Sequence, residues 1–119
     1  MKANELMIGD WVLDGNHIAQ VVLLTCDGII GTTFNESSNI EVVEPILLTP
    51  EILEKNGFKL DKEDGWWWLT PKIGITFWEE GDIELEFENK HSSVDIHIKY
   101  LHQLQHALRL CGIEKEIEL

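Results

Sequence analysis

Hydrophobic and polar positions change rhythm several times along this chain. From residue 6 to 44 short apolar runs are cut by turn residues. Trp11-Val12-Leu13 runs into Asp14-Gly15-Asn16, and the stretch from Ile18 to Thr25 runs into Asp27-Gly28. Gly and Asn accept positive φ at little cost, so these groups read as tight turns between strands. Ile29 to Phe34 reads as a third strand, Asn35 to Asn39 as a polar loop and Ile40 to Val43 as a fourth strand. Short strands at this spacing predict a small, SH3-like curled sheet.

Glu44 to Leu48 reads as a linker into a marked short helix, Thr49 to Phe58. Thr49 suits the N-cap, Pro50 the first helical position and Glu51 the positive end of the dipole, and Gly57 suits the left-handed stop. After a charged loop, Lys59 to Asp64, the period becomes two. Trp66 to Thr70, Ile73 to Trp78, Ile83 to Glu88 and Val94 to Ile98 read as four antiparallel strands with one wet face. Leu101, Leu104, Leu108 and Cys111 recur at helical spacing, Gly112 is a stop, and the tail alternates loosely. The fold class is therefore α+β: an N-terminal SH3-like sheet, a short linking helix, then a four-stranded antiparallel sheet packed by a C-terminal helix. Residues 1–48 form a small β sub-structure and residues 49–119 an α+β sub-structure, expected to pack as one unit.

Composition narrows the function. The 119 residues carry 22 Asp/Glu against 9 Lys/Arg, a net charge of −13, which opposes binding a phosphate backbone through general charge. No direct nucleic-acid partner is expected. With 44% hydrophobic and 26% charged residues the chain is globular rather than disordered. No apolar run approaches the roughly 18 residues of a membrane span. The start MKANELMIGDW also lacks the apolar stretch of a signal peptide, so no membrane association is expected, and with two cysteines a reduced, cytoplasmic location is expected. Cys26 and Cys111 are too few for a disulfide framework. Cys26 sits beside a turn with no adjacent His to activate it, and Cys111 reads as a small core residue. No P-loop, dinucleotide fingerprint or nucleophile elbow occurs, so no catalytic residue and no cofactor are assigned.

Three groups of residues remain as candidate sites. Trp66, Trp67 and Trp68 are consecutive, which puts Trp66 and Trp68 on one strand face and Trp67 on the other; Trp78 ends the next strand. They fit a stacking platform for a flat ring, a self-association surface or, more plainly, a sheet packed on both faces. Glu79, Glu80, Asp82, Glu84, Glu86 and Glu88 form an acidic hairpin without an intervening cation. It suits a solvated face, a surface imitating a nucleic-acid backbone, or a divalent-ion site, although no EF-hand loop favours the last. His102 and His106, one turn apart, share a helix face with Arg109, and Gln105 lies near them. The zincin glutamate and a Cys pair are missing, so no metal is assigned. These donors suit an anionic group or a solvated helix face.

The segments MKANELMIGDWV, EPILLTPEILEKNGF, GWWWL and YLHQLQHALRLCGIE resemble a family of small accessory proteins encoded by phages and prophages of gut anaerobes. The resemblance implies a viral or mobile-element protein acting in the cytoplasm of an infected bacterium, and no catalytic residue. Such proteins often counter host defence. The expectation is a non-catalytic protein that sequesters a small nucleotide-like host signal through Trp66, Trp67, Trp68, Trp78, His102, Gln105, His106 and Arg109. The alternative is an acidic inhibitor or nucleic-acid mimic that binds a host defence protein. Nucleotide hydrolysis ranks last. Five tryptophans in so short a chain further predict a homo-oligomer.

Overall fold

Among the described residues, turn chemistry and a change of hydrophobic period build two antiparallel sheets and two α-helices, an α+β architecture. The computed structural model describes residues 5–25, 27–88 and 93–119, and Glu80 in its backbone only. The readings of Met1 to Asn4, of Cys26 and of the loop over Asn89 to Ser92 lie outside the described residues. Contacts divide the chain into two units, Met1–Leu47 with Tyr100–Gln105, and Leu48–Lys99 with His106–Leu119.

In the first unit β1 (Trp11–Asp14), β2 (His17–Leu24), β3 (Ile29–Thr32), β4 (Ser38–Asn39) and β5 (Val43–Pro45) form a sheet of order β4-β3-β2-β1-β5. Gly15 and Asn16 both take positive φ, 57° and 73°, between the paired residues Asp14 and His17. That pair of angles is what a two-residue hairpin demands. Val12, Val21, Ile30 and Val43 join Leu6 in one buried cluster. A buried carboxylate adds directional bonds: Asp14 accepts from the Thr32 hydroxyl at 2.7 Å and the Ser38 hydroxyl at 2.9 Å, tying β1 to β3 and β4. The expected strand over Ile40 to Val43 is corrected here. Asn39 accepts from the Glu41 N–H and caps a 3-10 turn over Ile40–Val42, which displaces the extended backbone until Val43. Ser38–Asn39, expected as loop, pairs with Ile29 and Ile30.

The second unit opens on α1 (Pro50–Lys55). The Thr49 hydroxyl accepts from the Ile52 N–H at 3.3 Å, and Gly57 takes φ 87° just past the end. Leu53 and Phe58 are buried. β6 (Lys59–Leu60), β7 (Trp67–Thr70), β8 (Ile73–Phe77), β9 (Ile83–Glu88) and β10 (Ser93–Ile98) follow in the order β10-β9-β8-β7-β6. The sheet therefore has five strands where the sequence suggests four. Lys59 and Leu60, placed by their charged surroundings in a loop, pair with Trp68 and Trp67. A hydrophobic row, Leu60–Trp67–Ile75–Leu85–Ile96, crosses all five strands on one face. The C-terminal tail is pinned rather than loose. The Asn56 side chain donates to the Glu118 carbonyl at 2.8 Å and accepts from the Glu118 N–H at 2.7 Å, next to buried Ile117.

α2 (Leu101–Leu110) buries Leu101, Leu104, Ala107 and Leu108 at three- and four-residue spacing. Gly112, at φ 76°, ends it. No helix of the described residues is long and apolar enough to cross a membrane.

Candidate recognition face

Strand alternation sorts the tryptophans. Paired residues in an antiparallel sheet share a face, and their Cβ atoms stand about 4.5–5.5 Å apart. Trp67 pairs with Ile75 and so joins the apolar row. Trp68 pairs with Gly74, Gly74 with Glu86, and Glu86 with Asp95. With Lys59 opposite Trp68, the second face carries the row Lys59–Trp68–Gly74–Glu86–Asp95 across the whole sheet. Beside it runs Thr76–Glu84–His97. Glu84 and Glu86 of the acidic hairpin thus share one surface with Trp68.

Gly74 makes that arrangement possible. A Cβ at this position would lie 2.7 Å from two carbons of the Trp68 ring, so the indole rests directly on the glycine backbone. Trp66 stacks on Trp68 with ring centroids 5.9 Å apart and planes 27° apart. Asp64 holds the pair from below in sequence. One of its oxygens accepts from the Trp66 backbone N–H at 2.8 Å and the other from the Trp68 indole N–H at 3.1 Å. Thr76 donates to the Gly65 carbonyl at 3.1 Å, fixing the entry to β7. Both rings are half-buried, while Trp78 is 53% exposed and donates its indole N–H to Glu84 at 3.1 Å.

Away from Lys59 at the β6 edge, carboxylates dominate these rows. Partial burial, then Asp95, Glu88 and Glu84 in that order, raise the pKa of Glu86 above the usual carboxylate value. Each neighbour disfavours its charge, which a cation placed there would relieve. At the far edge His97 Nδ1 meets Asp82 at 2.9 Å, and that hydrogen bond and charge raise the imidazole pKa.

The remaining candidates belong to α2. Gln105 is buried, and its side chain is committed to backbone of the first unit: its oxygen accepts from Trp11 N–H at 2.9 Å and its amide donates to the Gly9 carbonyl at 3.0 Å. His102 is buried and stacks on Tyr100, with centroids 5.9 Å apart. His102 and Gln105 fall in the first unit; His106, half-buried, and Arg109, exposed, fall in the second. Burial pushes the Cys111 thiol up, away from the thiolate a nucleophile needs. Among the described residues no three His, Cys, Asp or Glu side chains are grouped to hold a metal ion.

Sequence reasoning missed Asp64, Gly74 and Asp95. The signal for Gly74 was its place on the wet side of a strand next to a Trp-x-Trp strand, where a missing side chain leaves room for an indole. Compared with protein-family models, curated proteins and solved structures, the chain has no match.

Proposed function

We propose that this is a non-catalytic binding protein that recognises a basic partner protein through the acidic, tryptophan-bearing face of its second sheet. One observation carries the reading: Trp68, stacked by Trp66, lies on Gly74 in register with Glu86 and Asp95. An indole ring attracts a cation by about 0.5–2 kcal/mol, and a guanidinium can stack on a ring while it bonds a carboxylate. A nucleotide would bring phosphates against Glu84, Glu86 and Asp95. Moreover, Gln105, one of the donors expected to hold them, spends its side chain on backbone. Of the two functions the sequence suggests, the acidic inhibitor of a protein is therefore preferred to nucleotide sequestration. The resemblance to phage accessory proteins would make that partner a component of host defence.

Tryptophan fluorescence tests the reading. A heptameric arginine peptide should shift the emission, with an affinity that falls as salt rises, and the paired change Glu86→Gln with Asp95→Asn should weaken it about tenfold or more. A cyclic dinucleotide that binds the unmodified protein more tightly than the peptide does would overturn it.

A further inference from the structure

The two sheets have four edges, and three are blunted. β4 and β6 are two residues long, and β6 carries Lys59. β5 has three residues and ends in Pro45. Short edges, Lys and Pro are the usual defences against pairing with another chain. β10 has none of them. It is six residues long, Ser93–Ile98, contains no Pro or Lys, and pairs with β9 from Ser93↔Glu88 to Ile98↔Ile83 without a bulge. Its first five residues, Ser93 to His97, are exposed. Among the described residues β9 is the strand that pairs with β10, so the outer side is an open backbone ladder whose side chains still alternate. Ser93, Asp95 and His97 extend the acidic face, while Val94 and Ile96, 47% and 36% exposed, extend the apolar one.

We infer that β10 takes up an extended segment of the basic partner as a sixth strand, with Lys or Arg side chains meeting Asp95 and apolar ones meeting Val94 and Ile96. This rests on the proposed function and adds to it the mode of binding: main-chain hydrogen bonds supply affinity, and the two alternating rows select the sequence. Charge selects the class of occupant. A segment alternating basic and apolar residues places a cation beside the Glu86–Asp95 pair and continues both rows by one strand. A second copy would instead bring a further charge of −13 and a second acidic face to the same edge.

Three synthetic peptides of equal charge separate the possibilities: Lys-Val-Lys-Ile-Lys-Val-Lys, the same residues with all lysines at one end, and the first peptide methylated on its three central backbone nitrogens. The alternating peptide should bind about tenfold tighter than either control. It should also slow hydrogen exchange of the β10 amides. Val94→Lys, which installs an edge defence without a backbone change, should remove that preference. If all three peptides bind alike and Glu86→Gln with Asp95→Asn weakens them equally, strand addition is wrong while the acidic face still recognises cations. If none binds, both readings fail. A protein that sediments as a dimer with β10 amides already protected, and as a monomer after Val94→Lys, would assign the edge to a second copy and overturn the inference.

Discussion

The two sheets share a strand count and an antiparallel plan and both bury apolar residues, yet they differ in the polar groups they enclose. The second is conventional inside: Ile73, Ile75, Ile83 and Leu85 are buried, and Glu84, Glu86 and Trp68 occupy the other face. The first encloses a carboxylate and two hydroxyls, Asp14, Thr32 and Ser38, while Ile18, Val22, Leu23 and Ile29 are exposed. An apolar interior tolerates many neighbours of similar volume, whereas a buried carboxylate accepts only partners that donate to it. Directional bonds therefore specify how β3 and β4 meet β1, and hydrophobic rows specify the register of β7 to β10. The second arrangement sets Glu84, Glu86 and Asp95 on the same face as Trp68.

The largest expected effect tests the hydrophobic half of this contrast. Ile75 is fully buried on β8, between Trp67 and Leu85 in the row that crosses the sheet. Ile75→Ala removes buried methyl groups and leaves a cavity, so chemical denaturation should show a loss of about 2–5 kcal/mol. A smaller loss, about 1–3 kcal/mol, is expected for Asp14→Ala, because the Ser38 and Thr32 hydroxyls lose a buried acceptor. The two differ in kind as well as size. Asp14→Ala should raise hydrogen exchange in β3 and β4 and leave β7 to β10 as they were. A change of under about 0.5 kcal/mol would mean that the apolar cluster of Leu6, Val12, Val21, Ile30 and Val43 holds the first sheet without help.

The same contrast explains what could be read from sequence. Alternation is a local signal, so Ile83 to Glu88, the cap at Thr49 and the stops at Gly57 and Gly112 were legible. Non-local partnerships were not. Lys59–Leu60 is a strand because Trp67 and Trp68 lie beside it, and Ser38–Asn39 because Ile29 and Ile30 do. The period within either segment is too short to announce this. Trp66 and Trp68 were expected to share a face, but the glycine beneath Trp68 and the carboxylates beside it come from pairing across strands. Gln105 shows the converse. Its place beside His102 and His106 on a helix suggests a ligand donor, while its contacts, Trp11 and Gly9, lie more than ninety positions away in the chain.

The smallest effect concerns the latch at the edge of the acidic face, where His97 of β10 meets Asp82 just before β9. Both side chains are well exposed, so solvent screens their attraction, and the contribution to stability is small. Its sign is nonetheless fixed. The hydrogen bond and charge of Asp82 favour the imidazolium and lift the folded pKa above the ordinary 6.5, so the folded protein holds this proton more tightly than the unfolded chain. The stabilisation is fully present below 6.5 and fades as pH rises through the lifted value. Proton NMR of the His97 ring should report that raised midpoint, and Asp82→Asn should bring it down. The same substitution should lower the melting temperature more at pH ~5.5 than at pH ~8.5, where the neutral ring has little charge interaction to lose. An unchanged His97 midpoint in Asp82→Asn would mean that the surrounding carboxylates, Glu84 and Asp95, set the titration instead. The edge of β10 would then be held by its backbone ladder with β9 and not by this ion pair.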